Sequence, residues 1–234
     1  MLLSVAKRIA VRLPLRSQQE LKRRYFRRQI RSGTFRTDEP EWQAAADWHR
    51  PGDWAIDVGA NVGHYTCRFS QLVGPQGRVI AFEPVPDTFE LLSANAAHFS
   101  HANVTLLNLA ASDTSQLFGV NIPHFEMGLK NYYRATLVPS NSGTQVMSCA
   151  IDSLAICGRV RLIKVDAEGH DSLVISGAWA LLERERPTVI IESDSPEVSG
   201  RLIELGYVRQ RLPGSPNTIY QHALAATQDR VAAG

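Results

Sequence analysis

From residue 51 onward, short apolar runs alternate with stretches whose apolar residues recur every three to four positions. That rhythm belongs to a parallel sheet with helices on both faces. The runs predict strands at 54–58, 78–82, 104–108, 162–166 and 188–192, and the helical spacings predict helices at 64–73, 87–98, 170–185 and 197–205. Two last runs, 206–211 and 218–222, flank the turn Pro213-Gly214-Ser215-Pro216 and read as an antiparallel terminal hairpin. The expectation is an α/β fold built on a seven-stranded, mostly parallel sheet. Residues 116–150 interrupt the alternation with Pro123, Gly128, Pro139 and Gly143 between short strand-like pieces. An insertion there would stand over the carboxyl ends of the sheet, where open α/β folds bind ligands. His124, Tyr132, Tyr133 and Arg134 are its candidates for lining a pocket, against the plainer reading that loop residues of these types lie on the surface.

Charge divides the chain in a way the hydrophobic pattern does not. Residues 1–36 hold eleven of the 25 lysines and arginines and one acid, Glu20, so this segment is +10 and the remainder −8. Leu2, Leu3, Ala6, Ile9, Ala10 and Leu13 share one helical face until Pro14 intervenes. A second helix is expected to start at Ser17, with Glu20 completing a capping box, and to run through Leu21, Tyr25 and Phe26 to a stop near Gly33. The chain thus divides into a basic helical extension (1–36), a main domain (37–222) and a tail (223–234). The extension reads either as helices packed on the domain or as an attachment to an anionic membrane surface. Nucleic acid is the less favoured partner, because the basic residues lie outside the core and no aromatic-and-basic RNA motif is present.

Composition narrows the setting. No run of 18 apolar residues and no secretory apolar core occurs, so a cytoplasmic protein is expected, peripheral at the inner membrane face if residues 1–36 attach there. Cys67, Cys149 and Cys157 are odd in number and form no C-x-x-C pair, which argues against a disulfide framework or a zinc site.

Two motifs carry the chemistry. The first is DVGANVG, Asp57 to Gly63, between an apolar strand and a helix. Gly59 and Gly63 let the backbone turn sharply and let a ligand approach main-chain N–H groups at the helix start. A dinucleotide site wants G-x-G-x-x-G here, but Asn61 occupies the place of the second glycine, which disfavours a pyrophosphate and with it an NAD-dependent dehydrogenase. Asp57 repels phosphate and suits a cationic ligand such as S-adenosylmethionine, which carries an ammonium and a sulfonium. Glu83 ends the next strand, 20 residues after Gly63, where a carboxylate can accept from both hydroxyls of a ribose. The second motif, IKVDAEGHD at 163–171, gathers Lys164, Asp166, Glu168, His170 and Asp171 at a strand end. Alternation puts Lys164 and Asp166 on one face, where they either neutralise one another or serve a site.

Together IDVGANVGHYT at 56–66, FEPVPDTFELLSANAA at 82–97 and LIKVDAEGHDSLVISGA at 162–178 resemble the FkbM family of S-adenosylmethionine-dependent methyltransferases over about residues 50–195. The most specific part is Lys164, Asp166, Glu168 and Gly169, matching the family's K-x-D-x-E-G, with Asp152 to Leu154 just upstream. The resemblance implies a Rossmann-like class I methyltransferase fold and methyl transfer, commonly to an oxygen of a sugar or natural product. A small-molecule, glycan or glycolipid acceptor is therefore expected. It further implies that Asp57, Gly59, Ala60, Asn61 and Gly63 wrap the methionine end of the cofactor, with Tyr65 and Thr66 following. Glu83 would hold the ribose, Pro84 stiffen the strand exit, and Ala111, Ser112 and Asp113 meet the adenine. A hydroxyl acceptor must lose its proton, so Asp166 or Glu168 is favoured as base or orienting group, with Lys164 steadying the carboxylates and His170 in reserve. No metal is assigned, although Asp166, Glu168 and Glu192 would offer hard oxygen ligands to magnesium. An RNA methyltransferase and a non-catalytic binding module that kept the fold are the alternatives.

Overall fold

A computed structural model describes residues 14–123, 135–139, 143–192 and 195–224. Two helices, α1 (Leu15–Ser32) and α2 (Pro40–Trp48), precede the alternation β1 (Trp54–Val58), α3 (His64–Val73), β2 (Arg78–Phe82), α4 (Pro86–Ala96) and β3 (Val104–Leu107). Four further strands follow: β4 (Ala110–Ser112), β5 (Leu117–Asn121), β6 (Thr136–Pro139) and β7 (Thr144–Ala150). Alternation then resumes with β8 (Val160–Val165), α5 (Asp171–Gly177), α6 (Trp179–Glu185), β9 (Thr188–Ile191), α7 (Pro196–Glu204), β10 (Tyr207–Gln210) and β11 (Thr218–His222).

Seven of the strands form one sheet in the order β3-β2-β1-β8-β9-β11-β10. β11 runs antiparallel to both its neighbours while the other pairings are parallel, so within the terminal hairpin only β11 is reversed. Both faces are buried, and alternate residues serve opposite sides. Ile56, Ile163 and Ile191 pack toward Val174, Leu181 and Val198 of α5, α6 and α7. Ala55, Leu162 and Ile190 pack toward Tyr65, Phe69 and Val73 of α3. The interrupting segment folds with β4 into a second, four-stranded sheet in the order β4-β7-β5-β6.

Several elements differ from the sequence expectation. The helix foreseen at 170–185 breaks into two at Ala178. Gly177 presses so closely on β4 that a Cβ would stand 1.9 Å from the Ser112 carbonyl oxygen. The second helix is capped from outside, the Asp152 carboxylate accepting from the N–H groups of Ala180 (2.8 Å) and Leu181 (2.9 Å). Helix α1 starts at Leu15 with Pro14 as its cap residue and no side-chain cap, so the capping box at Ser17 does not form. Glu20 instead pairs with Arg24 one turn on, at 2.9 Å. The stop at Gly33 is observed: its φ of 70° is left-handed, and the Thr34 N–H closes back on the Gln29 carbonyl at 2.9 Å.

Helix α2 was not foreseen. Its buried Glu41 accepts from Ser215 Oγ (2.7 Å) and from Asn217 Nδ2, tying this helix to the turn before β11. The helix expected before Pro14, and His124, Tyr132, Tyr133 and Arg134, lie outside the described residues. Helix α1 packs on the domain through Phe26, which joins Phe35, Val62, Cys67 and Leu91 in a small apolar cluster.

Candidate active site

A cleft opens at the carboxyl ends of β1, β2, β8 and β9, lined there by Val58, Gly59, Asn61, Phe82, Glu83, Asp166 and Glu192. The loop after β1 is shaped by its own hydrogen bonds. The Gly59 and Ala60 N–H groups both donate to the Phe82 carbonyl (3.0 and 2.9 Å), and the Gly63 N–H donates to the Ala60 carbonyl at 2.8 Å. The Asn61 N–H donates to Glu83 Oε2 at 2.9 Å. The amides expected to meet a ligand thus spend their hydrogen bonds on the end of β2 and within the loop. Gly59, at φ +73°, allows a close approach of chain to chain, since a Cβ there would lie 1.9 Å from the Asp166 carbonyl oxygen. Gly63, at φ +97°, instead makes room for Leu92 of α4 and does not line the cleft.

Glu83 is buried at the cleft wall and is held on both oxygens, Oε1 accepting from the Val85 N–H and Oε2 from the Asn61 N–H, each at 2.9 Å. Burial pushes its carboxyl up to about 7, against the pull of those two amides.

Behind the loop lies a buried ionic chain. Asp57, only 1 % exposed, accepts from Thr66 Oγ1 at 2.6 Å through Oδ2, while its Oδ1 has no hydrogen-bond partner among the described residues. Strand pairing sets Asp57 in register with Lys164. Lys164 Nζ lies 2.8 Å from Asp166 Oδ2 and 4.8 Å over the ring of Tyr65, whose hydroxyl donates to Glu39 Oε2 at 2.5 Å. Burial raises the Asp57 carboxyl, though Lys164 opposes the shift. For Lys164 itself burial pulls down, but Asp166 and Asp57 outweigh it and the ammonium is held more firmly than usual. Burial likewise works against Asp166, and Lys164 wins there too, keeping this carboxylate below its ordinary range.

Asp166 also shares a hydrogen bond with Glu192, the residue after β9, and this bond together with burial pushes the Glu192 carboxyl up to about 8. A proton is thereby favoured on Glu192 beside the ionised Asp166. Glu168 joins them: carboxylate oxygens of Asp166, Glu168 and Glu192 all lie within 4.8 Å of one another, a set of hard oxygen donors able to take a divalent cation. Glu168 sits at φ 46° and Asn61 at φ 51°, two non-glycine residues in the left-handed region, both at the cleft. Asparagine tolerates that conformation, whereas glutamate there costs about 1–2 kcal/mol.

Among the expected site residues, the cleft brings together Gly59, Asn61, Glu83, Pro84, Ala111, Asp166 and Glu168. Asp57, Tyr65, Thr66 and Lys164 stand behind that wall as its buried support, and Ala60 turns into a small core cluster with Ala81 and Leu92. Ser112, Asp113 and His170 are placed elsewhere. Ser112 is buried within β4, and Asp113 accepts from Ser112 Oγ (3.2 Å) and Thr114 Oγ1 (3.3 Å) outside the cleft. His170 caps α5 and meets the second sheet edge-to-face through Phe118, ring centres 5.1 Å apart, so it does not reach the cleft wall. The physical reason is β4, which draws residues 110–112 into that sheet and α5 with them.

Sequence reasoning missed Glu39, Val85, Val120, Ala135 and Leu137 as lining residues and gave Glu192 a role only toward a metal. Glu192 carried a signal, since it ends an apolar strand as Glu83 does. Glu39 carried none, because nothing local distinguishes it from its neighbours Asp38 and Glu41.

This strand order, with a reversed next-to-edge strand and a cleft whose glycine turn and strand-end carboxylates lie at the carboxyl ends of the sheet, defines a class I methyltransferase fold. Residues 57–214 match the family model described as the methyltransferase FkbM domain, and the chain belongs to that family. It is 27 % identical over 130 residues to the hexuronic acid methyltransferase AglP of Haloferax volcanii, covering 54 % of this chain and 50 % of that protein. Over 47 residues it is 51 % identical to the 31-O-demethyl-FK506 methyltransferase FkbM of Streptomyces tacrolimicus, covering 20 % of this chain and 18 % of that one. The crystal structure of methyltransferase FkbM from Methylobacillus flagellatus superposes with a TM-score of 0.55 at 15 % identity, covering 77 % of this chain and 50 % of that chain, a likeness of fold. The chain thus spans half or less of the length of these relatives.

The methyl donor that goes with the family is S-adenosylmethionine, and the residues present fit it. Glu83, with lone pairs left on both oxygens, would be able to accept from a ribose, and the buried Asp57 would place negative charge behind the turn. Ala110, Ala111 and Val85 give an apolar wall for a base. Among the described residues, no helix is long and apolar enough to cross a membrane.

Proposed function

We propose that this protein methylates a hydroxyl oxygen of a sugar or another hydroxylated small molecule. The observation that carries the proposal is the close group of carboxylates, Asp166 and Glu192 with Glu168, whose oxygens lie within 4.8 Å of one another in the cleft that Glu83 and Gly59 also line. S-adenosylmethionine, when bound, supplies a methyl group already attached to a good leaving group. What remains for the chain is to orient the acceptor hydroxyl and take its proton. Asp166 is fixed by Lys164 and stays ionised, so it holds the proton on Glu192 and orients that carboxyl. Glu192 is the more basic member and receives the proton of the acceptor once its own has left to solvent, from which it is not shielded. The left-handed turn at Glu168 and Gly169 brings a third carboxylate to the same rim, where it can accept from neighbouring hydroxyls of a polyol. The relatives support a hydroxylated acceptor: one is described as acting on a hexuronic acid, the other on 31-O-demethyl-FK506.

The test uses the full chain, S-adenosylmethionine with a labelled methyl group and a panel of hexuronic acid glycosides and other polyols. Asp166→Asn and Glu192→Gln should lower turnover by about a hundredfold to ten-thousandfold while leaving cofactor titration nearly unchanged. EDTA should leave turnover intact. Full turnover in both variants would remove the carboxylate pair from the chemistry, and loss with EDTA restored by magnesium would reassign the three carboxylates to a metal.

A further inference from the structure

Helix α1 carries a surface that does not line the active-site cleft. Phe26 points into the domain, and around the opposite side lie Leu21, Arg24, Arg28 and Arg31, flanked by Tyr25 and Arg27. Leu21 is 47 % and Tyr25 59 % exposed, an aliphatic and an aromatic side chain set among arginines. Arg24 spends its charge on the exposed Glu20 (2.9 Å), and Arg23 on the exposed Glu90 (3.1 Å). Exposed pairs of this kind contribute little and exchange readily for another anion. Between α1 and α4 these arginines, with Arg27 and His98, line a shallow cleft of about 170 Å³.

Direction matters as well. Gln19 lies beside Asp87 at the start of α4, Arg23 beside Glu90, and Arg27 beside Ala94 and His98, so the two helices run parallel. The start of α4 follows β2, whose end forms the active-site cleft, so the first turns of α1 lie at the cleft end of the domain. The sequence ahead of α1 continues the same chemistry, Leu2, Leu3, Ile9 and Leu13 interspersed with Lys7, Arg8 and Arg12.

We propose that the outer face of α1 docks on an anionic phospholipid bilayer, with Arg24, Arg28 and Arg31 on headgroup phosphates and Leu21 and Tyr25 in the interfacial layer. A bilayer is favoured over RNA because exposed aliphatic surface beside the arginines gains nothing on a phosphate backbone but is stabilised at a lipid interface. Docked in this way, α1 lies along the surface with its first turns toward the cleft end of the domain. The inference does not depend on methyl transfer, and its readout is independent of turnover.

The experiment is co-sedimentation of the full chain with phosphatidylcholine vesicles, with and without phosphatidylglycerol, across a salt series. Binding is expected to the anionic vesicles alone and to reverse with salt. Each neutralised arginine should weaken it roughly fivefold, so R24Q/R28Q/R31Q should bind about a hundredfold more weakly. L21S/Y25S should weaken binding at unchanged charge. Cofactor titration shows that each variant is folded. Equal binding to neutral vesicles, no response to either variant, displacement by inorganic phosphate or glycerophosphate, or tighter capture of single-stranded RNA at the same salt would each overturn the proposal.

Discussion

Replacing Lys164 by Met tests whether the buried ionic chain is held together as its geometry implies. The substitution keeps most of the apolar stem and removes the ammonium that lies 2.8 Å from Asp166 and in register with Asp57. Breaking a fully buried pair by deleting one partner costs about 3–5 kcal/mol. The Asp166 side chain is 33 % exposed, so water recovers part of its share and the expected loss is about 2–4 kcal/mol. A domain of ordinary stability, about 5–15 kcal/mol, survives that and can be measured. Urea unfolding at neutral and at mildly acid pH is the assay. The Asp57 carboxyl is already raised by burial, so its ionisation opposes folding, and without Lys164 it rises further. Asp166, held low by Lys164, stabilises the native state above the ordinary carboxylate range and loses that contribution as pH falls through its lowered value. Both effects make the deficit of K164M largest at neutral pH and smaller in acid. Adding Asp57→Asn to K164M should restore part of the loss. A K164M protein within ~0.5 kcal/mol of its parent at neutral pH, or a deficit that neither acid nor D57N reduces, would refute this account.

Two further outcomes follow from the cleft wall. Gly59→Ala places a Cβ 1.9 Å from the Asp166 carbonyl oxygen at φ +73°, so the loop must move away from β8, and S-adenosylmethionine affinity should fall more than about tenfold in a calorimetric titration; affinity within twofold of the parent would show that the close approach is dispensable. Glu83, with its carboxyl raised to about 7 by burial, must be ionised to accept from two hydroxyls, so cofactor affinity should weaken by up to ~tenfold per pH unit below that value and level off above it. Glu83→Gln should bind weakly with a flat profile, and a parent profile that is itself flat would exclude Glu83 from ribose binding.

Much of this molecule is written in short-range pattern. The sheet strands could be found because parallel strands covered on both faces are continuous apolar runs, and α3 and α4 because their apolar residues repeat at helical spacing. The same local grammar marks Glu83 and Asp166, charges that end apolar strands where a fold of this kind opens its cleft. Pattern failed where a distant segment decides. The break in the helix at Ala178 depends on β4 pressing against Gly177 and on Asp152 reaching the Ala180 and Leu181 amides, neither of which is local to that helix. His170 and Ser112 looked like site residues by position, yet the second sheet claims both. Glu39 reaches the cleft through an N-terminal segment pinned by Glu41 to Ser215 and Asn217, a contact across most of the chain. Even the pairing of Asp57 with Lys164, each conspicuous in its own motif, exists only because β8 lies beside β1 in that register. Sequence fixes which residues end a strand with charge; the order of strands, set by burial over the whole sheet, fixes which of those charges meet.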